Sequence, residues 1–284
     1  MGWLAELPRA DDLTPMAWLC TLVRVKRLLR RADVVPSPNI WYFTDTYEVE
    51  NRAQDADDVI WARLSEQVCW SGADVVDVGC GDGFHLPRFA ATARSVVGVE
   101  PHEPLVRRAQ RRLARYPTVT VRGGTAQRLP LADASADLVH ARTAYFFGPG
   151  CDPGLREADR VLRPGGALAI VDLDTRHRPY GDWMLADLPH YDPDVVDAFF
   201  ARQDFTCLRV ETRWRFPDRE AMAAVLRIEF SARVAERAVA ETLKLNAGAE
   251  GDELILPVGY RILVRRKPGG LVRSVSPQGR PSTP

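Results

Sequence analysis

Lysine is almost missing from this chain. Among 284 residues it occurs only at Lys26, Lys244 and Lys267, and arginine supplies the rest of the positive charge. The 38 basic residues are matched by 38 acids, so no net charge draws the chain to nucleic acid or to an anionic surface. Cysteine is sparse and scattered: Cys20, Cys69, Cys80, Cys151 and Cys207 stand singly, with no C-x-x-C pair and no Cys/His cluster at zinc spacing. A metal site is therefore not expected, and the thiols are expected to be free in a reducing compartment. No apolar run approaches the roughly 18 residues of a membrane span. Acids and Pro8 interrupt the first 15 residues and speak against a secretory leader, so the cytoplasm is the expected location. There is no internal repeat and no clear inter-domain linker.

What remains is an ordinary globular composition, 46% hydrophobic and 27% charged, long enough for one large α/β domain with appendages. Its organising stretch is Val75-Val-Asp-Val-Gly-Cys-Gly-Asp-Gly-Phe-His85. The apolar run Val75–Val78 reads as a buried parallel strand, interrupted only by Asp77. Gly79, Gly81 and Gly83 then form a turn into a short helix, Leu86 to Ala93. Open α/β sheets bind ligands where a strand's carboxyl end meets a helix's amino end. The dinucleotide fingerprint requires G-x-G-x-x-G, but here Phe84 occupies the third glycine's place. Asp77 would repel a pyrophosphate and attract an ammonium or sulfonium, which favours a nucleoside carrying positive charge. Ser95 to Glu100 is a second apolar strand ending in an acid about 20 residues on, where a carboxylate can accept from both hydroxyls of an unphosphorylated ribose. Pro101 follows it.

The acid–glycine loop with Glu100 resembles the first two motifs of the class I S-adenosylmethionine-dependent methyltransferases. The run Leu155-Arg-Glu-Ala-Asp-Arg-Val-Leu-Arg-Pro-Gly-Gly-Ala-Leu-Ala-Ile-Val-Asp172 resembles the R-V-L-R-P-G-G segment of the small-molecule members related to ubiquinone and menaquinone biosynthesis. The resemblance covers roughly residues 70–175. It implies a doubly wound, mostly parallel seven-stranded α/β sheet in the order 3-2-1-4-5-7-6, with the seventh strand antiparallel. It implies S-adenosylmethionine as cofactor, held by Asp77, Gly79, Cys80, Gly81, Gly83, Glu100, Pro101 and Arg142, the last at the loop bordering cofactor and substrate. At the adenine it implies an acid-Ala-acid trio, which this chain replaces with Thr125, Ala126 and Gln127.

Coarse patterning supplies the remaining elements. Helices are read at Met16 to Arg31 (basic and amphipathic, either packed on the domain or meeting a partner or membrane surface), Asp55 to Trp70, His102 to Arg115, Arg156 to Leu162, and Asp218 to about Leu245. Strands are read at Val119–Arg122, Asp137–Arg142, Ala167–Asp172, Phe205–Phe216 and Glu253–Arg265, with a helical excursion over 173–204. Four aromatics between Trp41 and Tyr47 read as a loop or capping segment, either core or the wall over a ligand. The division expected is a cap over residues 1–70, a methyltransferase domain over 71–267 and a disordered tail over 268–284.

Methyl transfer needs alignment more than a strong base, so no visible triad is required. His140, Tyr145, His177 and His190 are candidate bases or orienters, and Tyr42, Tyr47 and Tyr145 candidate pocket residues. His85 is expected either to cap its helix or to approach the cofactor carboxylate. The function expected is methyl transfer to a small-molecule acceptor, with no nucleic-acid partner. The alternatives are a non-catalytic cofactor-binding protein and, less favoured by Asp77 and Phe84, an NAD-dependent oxidoreductase. Oligomeric state and the atom methylated are not legible.

Overall fold

A computed structural model describes residues 34, 36–248 and 251–269. The expected helix over Met16 to Arg31 and the tail from residue 270 onward lie outside them. Within the described residues, α1 (Pro38–Tyr42), α2 (Thr44–Ala53) and α3 (Val59–Gln67) precede the sheet. There follow β1 (Asp74–Val78), α4 (Leu86–Ala90), β2 (Ser95–Glu100), α5 (Glu103–Arg112), β3 (Val119–Gly123), β4 (Ala136–Arg142), α6 (Asp152–Val161) and β5 (Leu162–Leu173). The chain ends with α7 (Tyr180–Asp187), α8 (Pro193–Arg202), β6 (Thr206–Phe216), α9 (Arg219–Glu229), α10 (Ala232–Leu245) and β7 (Leu254–Arg266).

The seven strands form one sheet in the order β3-β2-β1-β4-β5-β7-β6. β1 to β5 pair in parallel, and β7 runs antiparallel to both β5 and β6. The fold expected from the resemblance is the fold observed. Alternation along the strands explains the two cores. Val75 faces one side with Ile60 of α3, Phe89 of α4 and Val106 of α5. Val76 and Val78 face the other with Leu155 of α6 and Phe199 and Phe200 of α8. Burying each such side chain stabilises the sheet by about 1.5–3 kcal/mol, and helices on both faces make it doubly wound.

Three expectations need correction. The stretch Trp41 to Tyr47 is two helices parted at Phe43, not a loop: Pro38 opens α1 at the position where its missing N–H costs nothing, and the Thr44 hydroxyl donates back to the Ile40 carbonyl. The long helix from Asp218 is two, because Phe230 is extended and Asp187 accepts from both the Ser231 N–H and its hydroxyl, which redirects the chain. Asp218 caps α9 by accepting from Ala221 N at 2.8 Å. Finally, the strand expected at Ala167–Asp172 begins earlier, at Leu162, because Gly165 N donates to the Lys267 carbonyl and Lys267 N to that of Gly166.

Candidate cofactor and acceptor site

The strand order reverses between β1 and β4, and the candidate site lies at the carboxyl ends beside that reversal. Gly79 and Gly81 both adopt positive φ, at 73° and 57°. A Cβ on Gly79 would sit 2.5 Å from the Ala144 Cβ, and one on Gly81 would sit 2.6 Å from Cδ1 of Ile40. Only glycine permits both the turn and the close approach of neighbours above it. Gly79 N and Cys80 N donate to the Val99 carbonyl, which ties the loop to β2.

Glu100 is buried at the end of β2, and its carboxylate accepts from Gly81 N at 3.1 Å and from His102 N at 2.9 Å. Burial pushes its pKa up to about 7, against the pull of those two backbone donors. Gly124 N donates to the Glu100 carbonyl, and Thr125 and Arg128 close a tight turn through reciprocal backbone bonds. The trio Thr125, Ala126 and Gln127 is thereby placed beside the end of β2, with Ala126 buried. Pro101 is exposed just beyond.

Asp77 is 4% exposed, and Nδ1 of the fully buried His140 lies 2.6 Å from its Oδ1. An ionised carboxylate only accepts, so Nδ1 carries the proton. Among the described residues Nε2 of His140 has no hydrogen-bond partner, and the ring packs against Trp61 and Phe89. His140 therefore reaches the site through Asp77, not directly.

A small cavity of about 40 Å³ opens over the loop, lined by residues that include Ile40, Tyr47, Asn51, Gln54, Asp77, Gly79, Cys80, Gly81, Phe84, His85, Arg142 and Thr143. Of the expected binding residues, Asp77, Gly79, Cys80, Gly81, Arg142 and Tyr47 line it. Glu100 adjoins it through Gly81, whereas Gly83 packs behind the loop against Leu113 and Ala109. The expectation for Tyr42 is corrected: its ring is 71% exposed at the end of α1, while neighbouring Trp41 stacks on His102 at 4.2 Å. Tyr145 also lies outside the lining, its ring against Gly154 and its hydroxyl accepting from Gly154 N. His177 packs against Gly259, with Nε2 3.6 Å from Glu211, and His190 is exposed. None of the four candidate bases therefore lines the cavity. His85 lines it without capping α4 through its side chain. Burial, reinforced by the Arg142 charge, holds the His85 imidazole well below its usual pKa, so it is neutral.

Sequence reasoning missed the inner face of α2. Tyr47, Asn51 and Gln54 recur at helical spacing and all line the cavity. Reading Thr44–Ala53 as a helix would have exposed that stripe. Arg108 and Arg112 of α5 clamp α2 to the sheet domain: Arg112 bridges Glu48 at 2.6 Å and Asp82 at 2.7 Å, and Arg108 pairs with Asp45 and Glu48.

A doubly wound sheet of this order, with an acid–glycine loop at β1 and a buried acid ending β2, is the arrangement that the sequence resemblance implied. In comparison with known proteins, residues 76–170 match the family described as a methyltransferase domain. A protein of Mycolicibacterium smegmatis described as a "probable S-adenosylmethionine-dependent methyltransferase" is 35% identical over 113 residues, 40% of this chain and 42% of that relative. The ubiquinone/menaquinone biosynthesis C-methyltransferase UbiE of Rubrivivax gelatinosus is 31% identical over 160 residues, 55% of this chain and 61% of its own. The chain thus matches between two fifths and three fifths of the length of these curated relatives. The solved YcgJ protein of Bacillus subtilis superposes with a TM-score of 0.51 at 18% identity, over 74% of this chain and 98% of its own, a likeness of fold.

Proposed function

We propose that the chain is a methyltransferase that binds S-adenosylmethionine and transfers its methyl group to a small-molecule acceptor. The observation that carries this reading is the buried Glu100 carboxylate, joined to the Gly81 N–H of the acid–glycine loop. Glu100 suits the two hydroxyls of an unphosphorylated ribose, and Asp77 suits an ammonium. The glycine loop, where a side chain would collide with Ala144 or Ile40, suits close approach of a nucleoside. The matching methyltransferase-domain family and the names of the relatives support the same reading. We further assign Thr125, Ala126 and Gln127 to the adenine. The described part of the expected cap contributes α2 as a roof, and the reducing cytoplasm as location accords with the absence of disulfides among the described cysteines. Among the described residues no helix is long and apolar enough to cross a membrane.

When bound, the cofactor would supply an activated methyl carbon for in-line transfer to the acceptor's nucleophilic atom. The chain's part is alignment and exclusion of water. Asp77, fixed by the His140 N–H, would hold one end of the cofactor and Glu100 the ribose. Ile40 and Tyr47 would close the cavity from above.

Calorimetry with S-adenosylmethionine, S-adenosylhomocysteine and NAD, followed by transfer of a labelled methyl group into a metabolite extract, tests the proposal. Binding of both adenosyl ligands, no binding of NAD and labelled product are expected. NAD binding without a response to S-adenosylmethionine would overturn it. Binding without any labelled product would favour the non-catalytic reading.

A further inference from the structure

Arg142 is 8% exposed, lines the cavity, and is held by a neutral partner: its Nη2 donates to Gln54 Oε1 at 2.9 Å. Among the described residues its Nε has no hydrogen-bond partner. Among the described residues no carboxylate lies within ion-pair distance of this guanidinium, whereas most other arginines of the sheet domain bridge an acid. The acids nearby are already engaged. Asp77 is bonded to His140. Glu50 accepts from Gln54 and shares a hydrogen bond with Glu229; burial and the Glu229 charge hold its carboxyl well above its usual pKa, against the pull of the Arg142 charge. Leaving a buried guanidinium without an anion is costly unless an anion arrives with a ligand.

The direction in which Arg142 reaches narrows the ligand. The glycine loop follows β1 and the ribose acid ends β2, both on one side of β4. The guanidinium instead lies 5.3 Å from the ring of Tyr260 on β7, two strands away on the other side. Gln54, which it grips, follows the roof helix, and Thr143 opens the loop after β4; both line the cavity. Its charge also bears on His85 beside the glycine loop.

We propose that Arg142 anchors a carboxylate of the methyl acceptor, so that the enzyme acts on acidic small molecules. Guanidinium and carboxylate match as a two-bond fork. The proposal rests on the methyltransferase reading and deepens it. Amines and neutral alcohols would leave the guanidinium bare and be rejected by the differential that such unpaired buried groups impose, on the order of a hundredfold or more.

A small-molecule extract is split by anion exchange and each fraction is incubated with the full-length chain and methyl-labelled S-adenosylmethionine. Labelled product should arise from the retained, anionic fraction and not from the flow-through. Arg142→Met should lower that transfer at least a hundredfold while S-adenosylhomocysteine affinity stays within about threefold. Arg142→Lys, which keeps the charge without the fork, should retain turnover at a KM raised about tenfold, and keeps the question answerable if Arg142→Met fails to fold. Transfer confined to the flow-through would overturn the proposal. It would also be overturned if Arg142→Met weakened S-adenosylhomocysteine more than tenfold yet left 5′-deoxy-5′-methylthioadenosine unchanged, because that ligand lacks the cofactor's own carboxylate. Failure of the parent chain to bind S-adenosylhomocysteine at all is a separate result, and it sinks the methyltransferase reading beneath the proposal.

Discussion

At the scale of single residues, Glu100 gives the sharpest expectation. Its pKa is pushed up to about 7 by burial, and only the ionised form can accept from both ribose hydroxyls while keeping Gly81 N and His102 N. Cofactor affinity should therefore be full above pH 7 and fall as pH drops, by about tenfold for each unit once the carboxyl is protonated. Calorimetry between pH 8 and pH 6 checks this, and Glu100→Gln should remove most of the dependence at a cost of roughly 1.5–3 kcal/mol in binding at pH 8. His140 makes a second test. His140→Leu should leave the apolar pocket of Trp61 and Phe89 filled but deprive Asp77 of its donor. S-adenosylhomocysteine affinity should fall about tenfold, on the order of the 1.5–3 kcal/mol of a charged hydrogen bond, and 5′-deoxy-5′-methylthioadenosine should bind as before. Equal loss for both ligands would mean a merely structural histidine. Asp77, Gly79, Gly81 and Glu100 were legible in the sequence because a strand, a turn and a strand end within 26 residues define them. The Asp77–His140 pair was not, because it joins residues 63 apart that meet only once β4 is known to flank β1.

At the scale of elements, the roof is held by two kinds of contact. Outside, Arg108 and Arg112 of α5 grip the acids of α2. Inside, Glu50 of α2 meets Glu229 of α9, with Asn39 donating to Glu229 at 2.7 Å and the Tyr180 hydroxyl at 3.4 Å. Both carboxyls are buried, and burial raises both pKa values, that of Glu50 further through the Glu229 charge. Carboxyls whose folded pKa exceeds the unfolded one contribute stability that is complete below the unfolded pKa, about 4.5, and is lost as pH rises toward the folded pKa. The melting temperature should thus decline from pH 5 to pH 8. Glu229→Gln, whose amide can donate to Glu50 without a shared proton, should flatten that decline and stabilise the protein at pH 8 by about 1–3 kcal/mol. That corresponds to a few degrees for a chain of this size. An unchanged slope in thermal denaturation would discount the pair. The strands were legible because valine-rich runs and glycine turns are local signals. The roof was not, because α1 and α2 carry aromatic and polar side chains whose inward stripe, Tyr47, Asn51 and Gln54, is polar and gives no hydrophobic period.

At the scale of the whole molecule, the roof and the loop are pressed together. Ile40 packs directly on Gly81, Trp41 stacks on His102 at the end of β2, and the cavity between measures about 40 Å³. Sites that enclose ligands of this class measure roughly 300–1,000 Å³. Binding should therefore require α1 to withdraw from the sheet edge, breaking the Trp41–His102 stack and the Ile40 contact, while the arginine clamp and the Glu50–Glu229 pair hold α2 in place. A conformational step of this kind holds association below the 10⁵–10⁷ M⁻¹s⁻¹ of an open site and makes the observed rate level off at high ligand concentration. Ile40→Ala removes the side chain seated on Gly81 without touching a group assigned to the cofactor. It should raise the association rate several-fold and shift the plateau upward, while the equilibrium affinity changes less than the rate. Stopped-flow fluorescence, with Trp41 and Trp61 beside the site as reporters, measures both. A rate linear in ligand concentration up to the diffusion range, identical in the parent and Ile40→Ala, would show that the roof opens too readily to govern binding. The pocket would then have to be formed by the loop after β4 instead.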